Sequence, residues 1–257
     1  MQAQTGSVLD RFRLDGRRAL VTGAGRGIGL GAAIALAQAG AAVTLVARTG
    51  AEIEAAAAGI RDSGGAADHL VLDVTDLPAM QAAIAERPPY HVLLNNAGTN
   101  RTDMFLEVKV QDYDTVMGLN VRAAFFVAQA VARRLVAAGE KGSIINVSSQ
   151  MGHVGAVRRS VYCASKWAME GMTKAMAVEL AKVGIRVNSL GPTFVETPLA
   201  NAFLANPDFH AEVLSKIKLG RIGRVDDLIG GILYLASDAS SLTTGSALVI
   251  DGGWTAD

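Results

Sequence analysis

The sequence predicts an α/β protein with a doubly wound parallel sheet of about seven strands and helices on both faces. Three observations predict it. Short apolar runs rich in β-branched residues alternate with longer stretches of helical periodicity along the whole chain. A glycine-rich turn joins the first such run to the first helical stretch. No Pro- or Ser-rich linker, repeat or low-complexity segment divides the chain, so residues 1–257 are expected to form a single domain.

Residues 18–22 (Arg-Ala-Leu-Val-Thr) read as the first strand, and 27–39 as the helix after the glycine turn. Residues 42–47 form the second strand, followed by a helix over about 51–63. The third strand is expected at 69–73, with a short helix at 77–86. The fourth, 91–94, runs into Asn95-Asn96-Ala97-Gly98. A long helix at 112–138 precedes the fifth strand at 143–147, and another at 161–183 precedes the sixth at 185–190. Helical segments fill about 198–218 and 225–237, and a last strand spans 247–250.

Composition narrows the function classes. The chain has 257 residues, half of them apolar, with zero formal net charge, which gives no footprint for nucleic acid. A single cysteine, Cys163, rules out an intramolecular disulfide and fits a cytoplasmic setting; its thiol reads as a small buried side chain. The charged N-terminus (Asp10, Arg11, Arg13, Asp15, Arg17, Arg18) is not expected to be a signal peptide. Residues 27–47 carry no charge and are long enough to span a bilayer, but Gln38-Ala39-Gly40 cuts them into a helical and a β-branched half. A buried helix followed by a buried strand accounts for them, and no membrane partner is expected.

The turn Thr22-Gly23-Ala24-Gly25-Arg26-Gly27-Ile28-Gly29 lies where a strand ends and a helix begins. Glycines there let a pyrophosphate approach the backbone, and the helix N-terminus offers free N–H groups and a positive dipole end. An NAD site has Asp or Glu about 20 residues further on for the ribose 2′-hydroxyl. Here the second strand ends in Val46-Ala47-Arg48-Thr49, without an acid until Glu52. Arg48 and Arg26 can hold a 2′-phosphate instead, so NADP(H) is favoured over NAD(H). Asp73-Val74, at the tip of the third strand, can meet the adenine or cap a helix.

Tyr162 and Lys166 stand four residues apart at the start of a helical pattern, so they share a face. A lysine ammonium one turn away is expected to lower the phenol's pKa, which suits it to exchange a proton with a substrate oxygen. No P-loop or Gly-x-Ser-x-Gly elbow is present. His69, His91, His153 and His210 lack metal-ligand spacing, and no metal is expected.

Together these residues resemble the classical short-chain dehydrogenase/reductase family over roughly residues 12–254. The turn 22–29 is similar to its cofactor turn, Asn95-Asn96-Ala97-Gly98 to its fourth-strand motif, and Ser148-Ser149 to its fifth-strand serine pair, Ser149 standing thirteen residues before Tyr162. Asn120 resembles the helix asparagine of the family's tetrad, and Asp251-Gly252-Gly253 its C-terminal signature. Asn188, Pro192, Val195 and Thr197 fall where the family surrounds the nicotinamide.

The resemblance implies a Rossmann fold and an NAD(P)-dependent oxidoreductase interconverting a ketone and a secondary alcohol. Tyr162 would be the acid in reduction and the base in oxidation. Lys166 would lower its pKa and hold the nicotinamide ribose, Ser149 would hydrogen-bond the substrate oxygen, and Asn120 would support a water linking Lys166 to solvent. It also implies a homotetramer built on the two long helices and the C-terminal segment. Thr193 departs from the family's glycine after Pro192, and His91 replaces an aspartate before the fourth strand, a change expected to touch packing.

Three functions compete. The first is action on a small polyol, sugar or sugar acid, as by a gluconate 5-dehydrogenase. The second is 3-oxoacyl-[acyl-carrier-protein] reduction, and the third a non-catalytic cofactor-binding regulator, against which the complete tetrad weighs. Asn100, Gln150, His153 and Thr193 could bond substrate hydroxyls, which favours the first, and residues about 194–222 are expected to form a substrate lid. Arg158 and Arg159 read as solvated loop residues, with contact to an acid group as the alternative.

Overall fold

The structure is a computed structural model and describes residues 7–256. Its centre is one seven-stranded sheet, ordered β3-β2-β1-β4-β5-β6-β7, with every neighbouring pair parallel. The strands are β1 (Arg18–Thr22), β2 (Ala42–Ala47), β3 (Ala66–Val71), β4 (Val92–Asn95), β5 (Gly142–Val147), β6 (Ile185–Pro192) and β7 (Ala247–Ile250).

Parallel strands need crossovers, and helices supply them. On one face α1 (Gly27–Gln38), α2 (Gly50–Asp62) and α9 (Val225–Ala236) cover a cluster that includes Leu36, Leu45, Ile53 and Ile232. On the other, α3 (Leu77–Ala85), α5 (Ala124–Ala138) and α6 (Ser160–Leu180) cover Leu20, Met80, Leu93, Leu135 and Ile144. A third, smaller cluster joins Val213, Ile217 and Ile222 to Phe194, Phe209 and Trp254, beneath α7 (Pro198–Leu204) and α8 (Pro207–Lys216).

The structure corrects several expected boundaries. The long helix at 112–138 begins earlier, as α4 (Val110–Met117), and a π-helical segment at Gly118–Ala123 separates it from α5. A π segment inserts one residue into the helical repeat, a slip that a single-period reading of the run passes over. The helix at 198–218 is two helices, because Asn206 caps α8 through the Phe209 N–H and Pro207 opens it. The third strand starts at Ala66, since Ala66 and Ala67 lack β-branching yet pair with Ala42 and Val43. His91 accepts a hydrogen bond from the Arg18 N–H at 2.9 Å and lies 2.7 Å from Glu140.

The run Val110–Ala138 is the one helical stretch among the described residues long and apolar enough to cross a bilayer, and nearly half of its most apolar window is buried within the protein.

Because all strands are parallel, the loops after β1, β2, β4, β5 and β6 leave the same edge of the sheet. The strand order reverses between β1 and β4, the switch point where such sheets form a ligand crevice.

Candidate active site

The crevice at that edge is a cleft of about 180 Å³. Its lining includes Ile28 from α1, Asn96 and Gly98 after β4, Ser149 after β5, Tyr162 and Lys166 from α6, Pro192 at the end of β6, and Val195 and Thr197 after it. Residues as far apart in sequence as Ile28 and Thr197 thus converge, because the segments that carry them follow strands ending at one level of the sheet.

The glycine turn is built for close backbone approach. Gly23 and Gly27 have φ of 66° and 57°, which a side chain disfavours. A Cβ on Gly29 would stand 2.3 Å from the Gly23 carbonyl oxygen, so only glycine lets α1 start there. Asn96 fixes the turn: its side-chain amide donates to the Thr22 and Gly23 carbonyls at 3.0 and 3.1 Å. The Asn96 and Ala97 N–H groups both donate to the Thr22 hydroxyl at 3.0 Å. Helix α1 opens with no side-chain cap and no acidic residue in its first turn. Its N–H groups and dipole therefore remain available to an anion, and this end of the cleft fits the pyrophosphate of a dinucleotide.

Arg26 and Arg48 are exposed beside this turn. Arg48 Nη1 lies 3.8 Å from Asp73. Burial raises the Asp73 carboxyl pKa, but the Thr75 hydroxyl and N–H, with Arg48, hold it below the usual aspartate value. Val74 is buried. Thr197 caps α7 through the Ala200 N–H and closes against Gly27, with its methyl 3.2 Å from where a Cβ would sit.

Around Tyr162 the chemistry is more specific. The Ser149 hydroxyl donates to Gln150 Oε1 at 2.6 Å and accepts from the Met151 N–H at 3.1 Å. Lys166 Nζ donates to the Val147 carbonyl at 2.8 Å and lies 5.5 Å from the Tyr162 ring centroid. Burial brings the Lys166 pKa down to about 8, with Glu170 opposing the drop. Burial also pushes the Tyr162 phenol above its ordinary range, while Ser149 and the charge of Arg159 pull it down. The sequence assigned that lowering to Lys166. In the structure its ammonium is turned to the β5 backbone, and Ser149 and Arg159 act on the phenol instead.

Asn120 sits in the π segment, fully buried. Its amide donates to the Thr99 carbonyl at 2.9 Å and to Ser165 Oγ at 3.1 Å, and its Oδ1 accepts from the Thr99 N–H. It braces the loop after β4 against α6: it stands behind the cleft wall, bonded to the lining residue Thr99, with no hydrogen bond to Lys166.

Of the residues expected to meet substrate, Asn100, Gln150 and Thr193 line the cleft. Asn100 Oδ1 and Thr193 Oγ1 are buried there without a hydrogen-bond partner. His153 lies outside the lining, with Nε2 3.6 Å from Glu170, because the turn after Ser149 directs it towards α6. The larger departure is Arg159. It was expected in solvent, yet it is 5% exposed and lines the cleft. Nothing in the sequence separates it from Arg158, which is exposed and has a left-handed backbone, φ 59°.

Comparison with known proteins agrees with this geometry. The family described as Enoyl-(Acyl carrier protein) reductase matches residues 23–255. The chain is 43% identical to an L-xylulose reductase of Bos taurus, over 95% of this chain and 99% of that one. It is 38% identical to a gluconate 5-dehydrogenase of Gluconobacter oxydans, over 96% and 97%. A crystal structure of a gluconate 5-dehydrogenase from Burkholderia cenocepacia, in complex with NADP and tartrate, superposes with a TM-score of 0.94 at 40% identity, covering 98% of this chain and all of that one.

Proposed function

The chain belongs to the classical short-chain dehydrogenase/reductase family, and on that premise we propose that it is an NADP(H)-dependent oxidoreductase of a small polyol, sugar or sugar acid. The observation that carries this reading is the convergence of Ser149, Tyr162 and Lys166 on one cleft, beside a turn fitted to a dinucleotide and among partnerless polar atoms of Asn100 and Thr193. Relatives named for L-xylulose and gluconate chemistry support the substrate class. The structures solved with NADP, together with Arg26 and Arg48 in place of an acid, support the cofactor choice.

Held at the glycine turn and beside Lys166, NADP(H) would supply or accept the hydride. In reduction the Tyr162 phenol gives its proton to the carbonyl oxygen as that oxygen gains charge, and in oxidation its phenolate takes the hydroxyl proton. Ser149 donates a hydrogen bond to the same oxygen, which requires its hydroxyl to turn from Gln150. Lys166 would hold the ribose, and Asn120 fixes the loop after β4 against the helix that carries Tyr162 and Lys166. Residues 194–222 close the cleft as a lid within a single domain. The protein works in the cytoplasm, with Val110–Ala138 as a core helix.

The test is a panel of hydroxylated ketones and 3-oxoacyl thioesters, each with NADPH and NADH. Highest kcat/KM for a hydroxylated ketone with NADPH is expected. A preference for the thioester would favour the acyl-reductase reading, and no turnover of either would favour a cofactor-binding regulator.

A further inference from the structure

We propose that Arg159 is a carboxylate-binding residue of the cleft, so that the substrate is an anionic polyhydroxy ketone, a keto sugar acid, and not a neutral ketose. This rests on the preceding reading and narrows it.

Arg159 is buried in the lining of the same cleft as Ser149 and Tyr162, and its Nη1 has no hydrogen-bond partner. Among the described residues no carboxylate pairs with it; the charged or titratable groups acting on it are Tyr162, Cys163 and Arg158. Glu170, the buried acid of α6, accepts from the Ser189 hydroxyl at 2.6 Å and faces His153. An arginine stays protonated at neutral pH even when burial depresses its pKa, so an uncompensated positive charge remains in the cleft. Burial of such a charge is costly unless something pairs with it.

The surroundings hold the guanidinium in place without neutralising it. It lies 4.7 Å from the Phe203 ring centroid and 5.8 Å from that of Phe209, both from the expected lid. Ring faces attract a cation but leave its N–H edge free for a planar, bidentate partner.

Arg159 also occupies the N-cap position of α6, a 21-residue helix with no side-chain cap and no acid in its first turn. A cation there opposes the helix dipole, which adds to the cost that a paired anion would offset. Arg158, immediately before Arg159, has a left-handed backbone, φ 59°. Tyr162 follows three residues later on the same helix, so the carboxylate and the reacting carbonyl of one short chain can share the cleft. The acyl arm of a thioester offers no partner for this charge.

The test compares 5-keto-D-gluconate with neutral L-xylulose, using NADPH and the wild type, Arg159→Gln and Arg159→Lys. The wild type should prefer the keto acid. In Arg159→Gln the ratio of kcat/KM for acid over neutral ketose should fall by roughly 100-fold, mainly through KM, and Arg159→Lys should recover part of it. NADPH affinity should be retained. The melting temperature of the ligand-free Gln variant should hold or rise, because an unpaired buried charge is removed; a merely structural arginine would lower it. An unchanged ratio, or a wild type that prefers L-xylulose, overturns this inference and leaves the reading above standing. Turnover of a 3-oxoacyl thioester alone overturns both.

Discussion

The Ser149 hydroxyl donates its hydrogen to Gln150 Oε1 at 2.6 Å, so the donor assigned to the substrate oxygen is already committed to its neighbour. Catalysis therefore needs an exchange of hydrogen-bond partners, and a strongly polarised carbonyl oxygen drives it best. Ser149→Ala should lower kcat by about 10²–10³, corresponding to roughly 2.7–4 kcal/mol, with KM little affected. Steady-state kinetics on the preferred ketone checks this.

Tyr162→Phe removes the proton donor at little change in volume. It should bind NADPH, as read by cofactor fluorescence, and lose nearly all turnover. Oxidation needs the phenolate, and burial holds the phenol above its ordinary range, so kcat/KM for oxidation should rise into the alkaline range. The charge of Arg159 lowers that phenol. Arg159→Gln should therefore move the oxidation limb to higher pH, and a shift to lower pH would contradict the electrostatics.

Cofactor preference should follow the tips of β1 and β2. The wild type should bind NADPH more tightly than NADH at one salt concentration. Arg48→Ala should weaken NADPH binding by roughly 10- to 100-fold, the range for a charged hydrogen bond, and leave NADH nearly unaffected. Ala47→Asp should favour NADH, since its carboxylate repels a 2′-phosphate and can bond a free hydroxyl. Titration calorimetry decides it.

Lys166 gives a signature in stability. Its folded pKa of about 8 lies below that of an unfolded lysine, near 10.4. Below pH 8 the full cost of the buried ammonium is present. Between about 8 and 10 the unfolded chain binds more protons, so stability from this group rises with pH. Relative to Lys166→Met, the ligand-free wild type should gain about 2 kcal/mol between pH 7.5 and 9.5 in urea unfolding. A gain of the opposite sign would mean the ammonium is stabilised in the fold.

Assembly should use the outer faces of α5 and α6. Phe125, Val136, Trp167 and Val178 remain exposed there although the opposite sides of these helices are buried in the sheet core. A tetramer is expected by light scattering at micromolar concentration, and Val178→Glu with Trp167→Glu should shift it to smaller species.

The sequence by itself determined the sheet, its helices and the order of the motifs. Alternating apolar periods are local, and the glycine turn, Asn96-Ala97-Gly98, Ser149 and the Tyr162–Lys166 spacing are fixed by short-range geometry. The π segment at Gly118–Ala123 is not legible because a one-residue slip is small beside a 29-residue apolar run. Only the tertiary structure decided which charges act on Tyr162. Lys166 turns to the Val147 carbonyl, an atom nineteen residues away, while the Arg159 guanidinium lies against Phe203 of α7 and Phe209 of α8. Two adjacent arginines look alike in a sequence. Burial separates them, and burial depends on what the rest of the chain packs around each one.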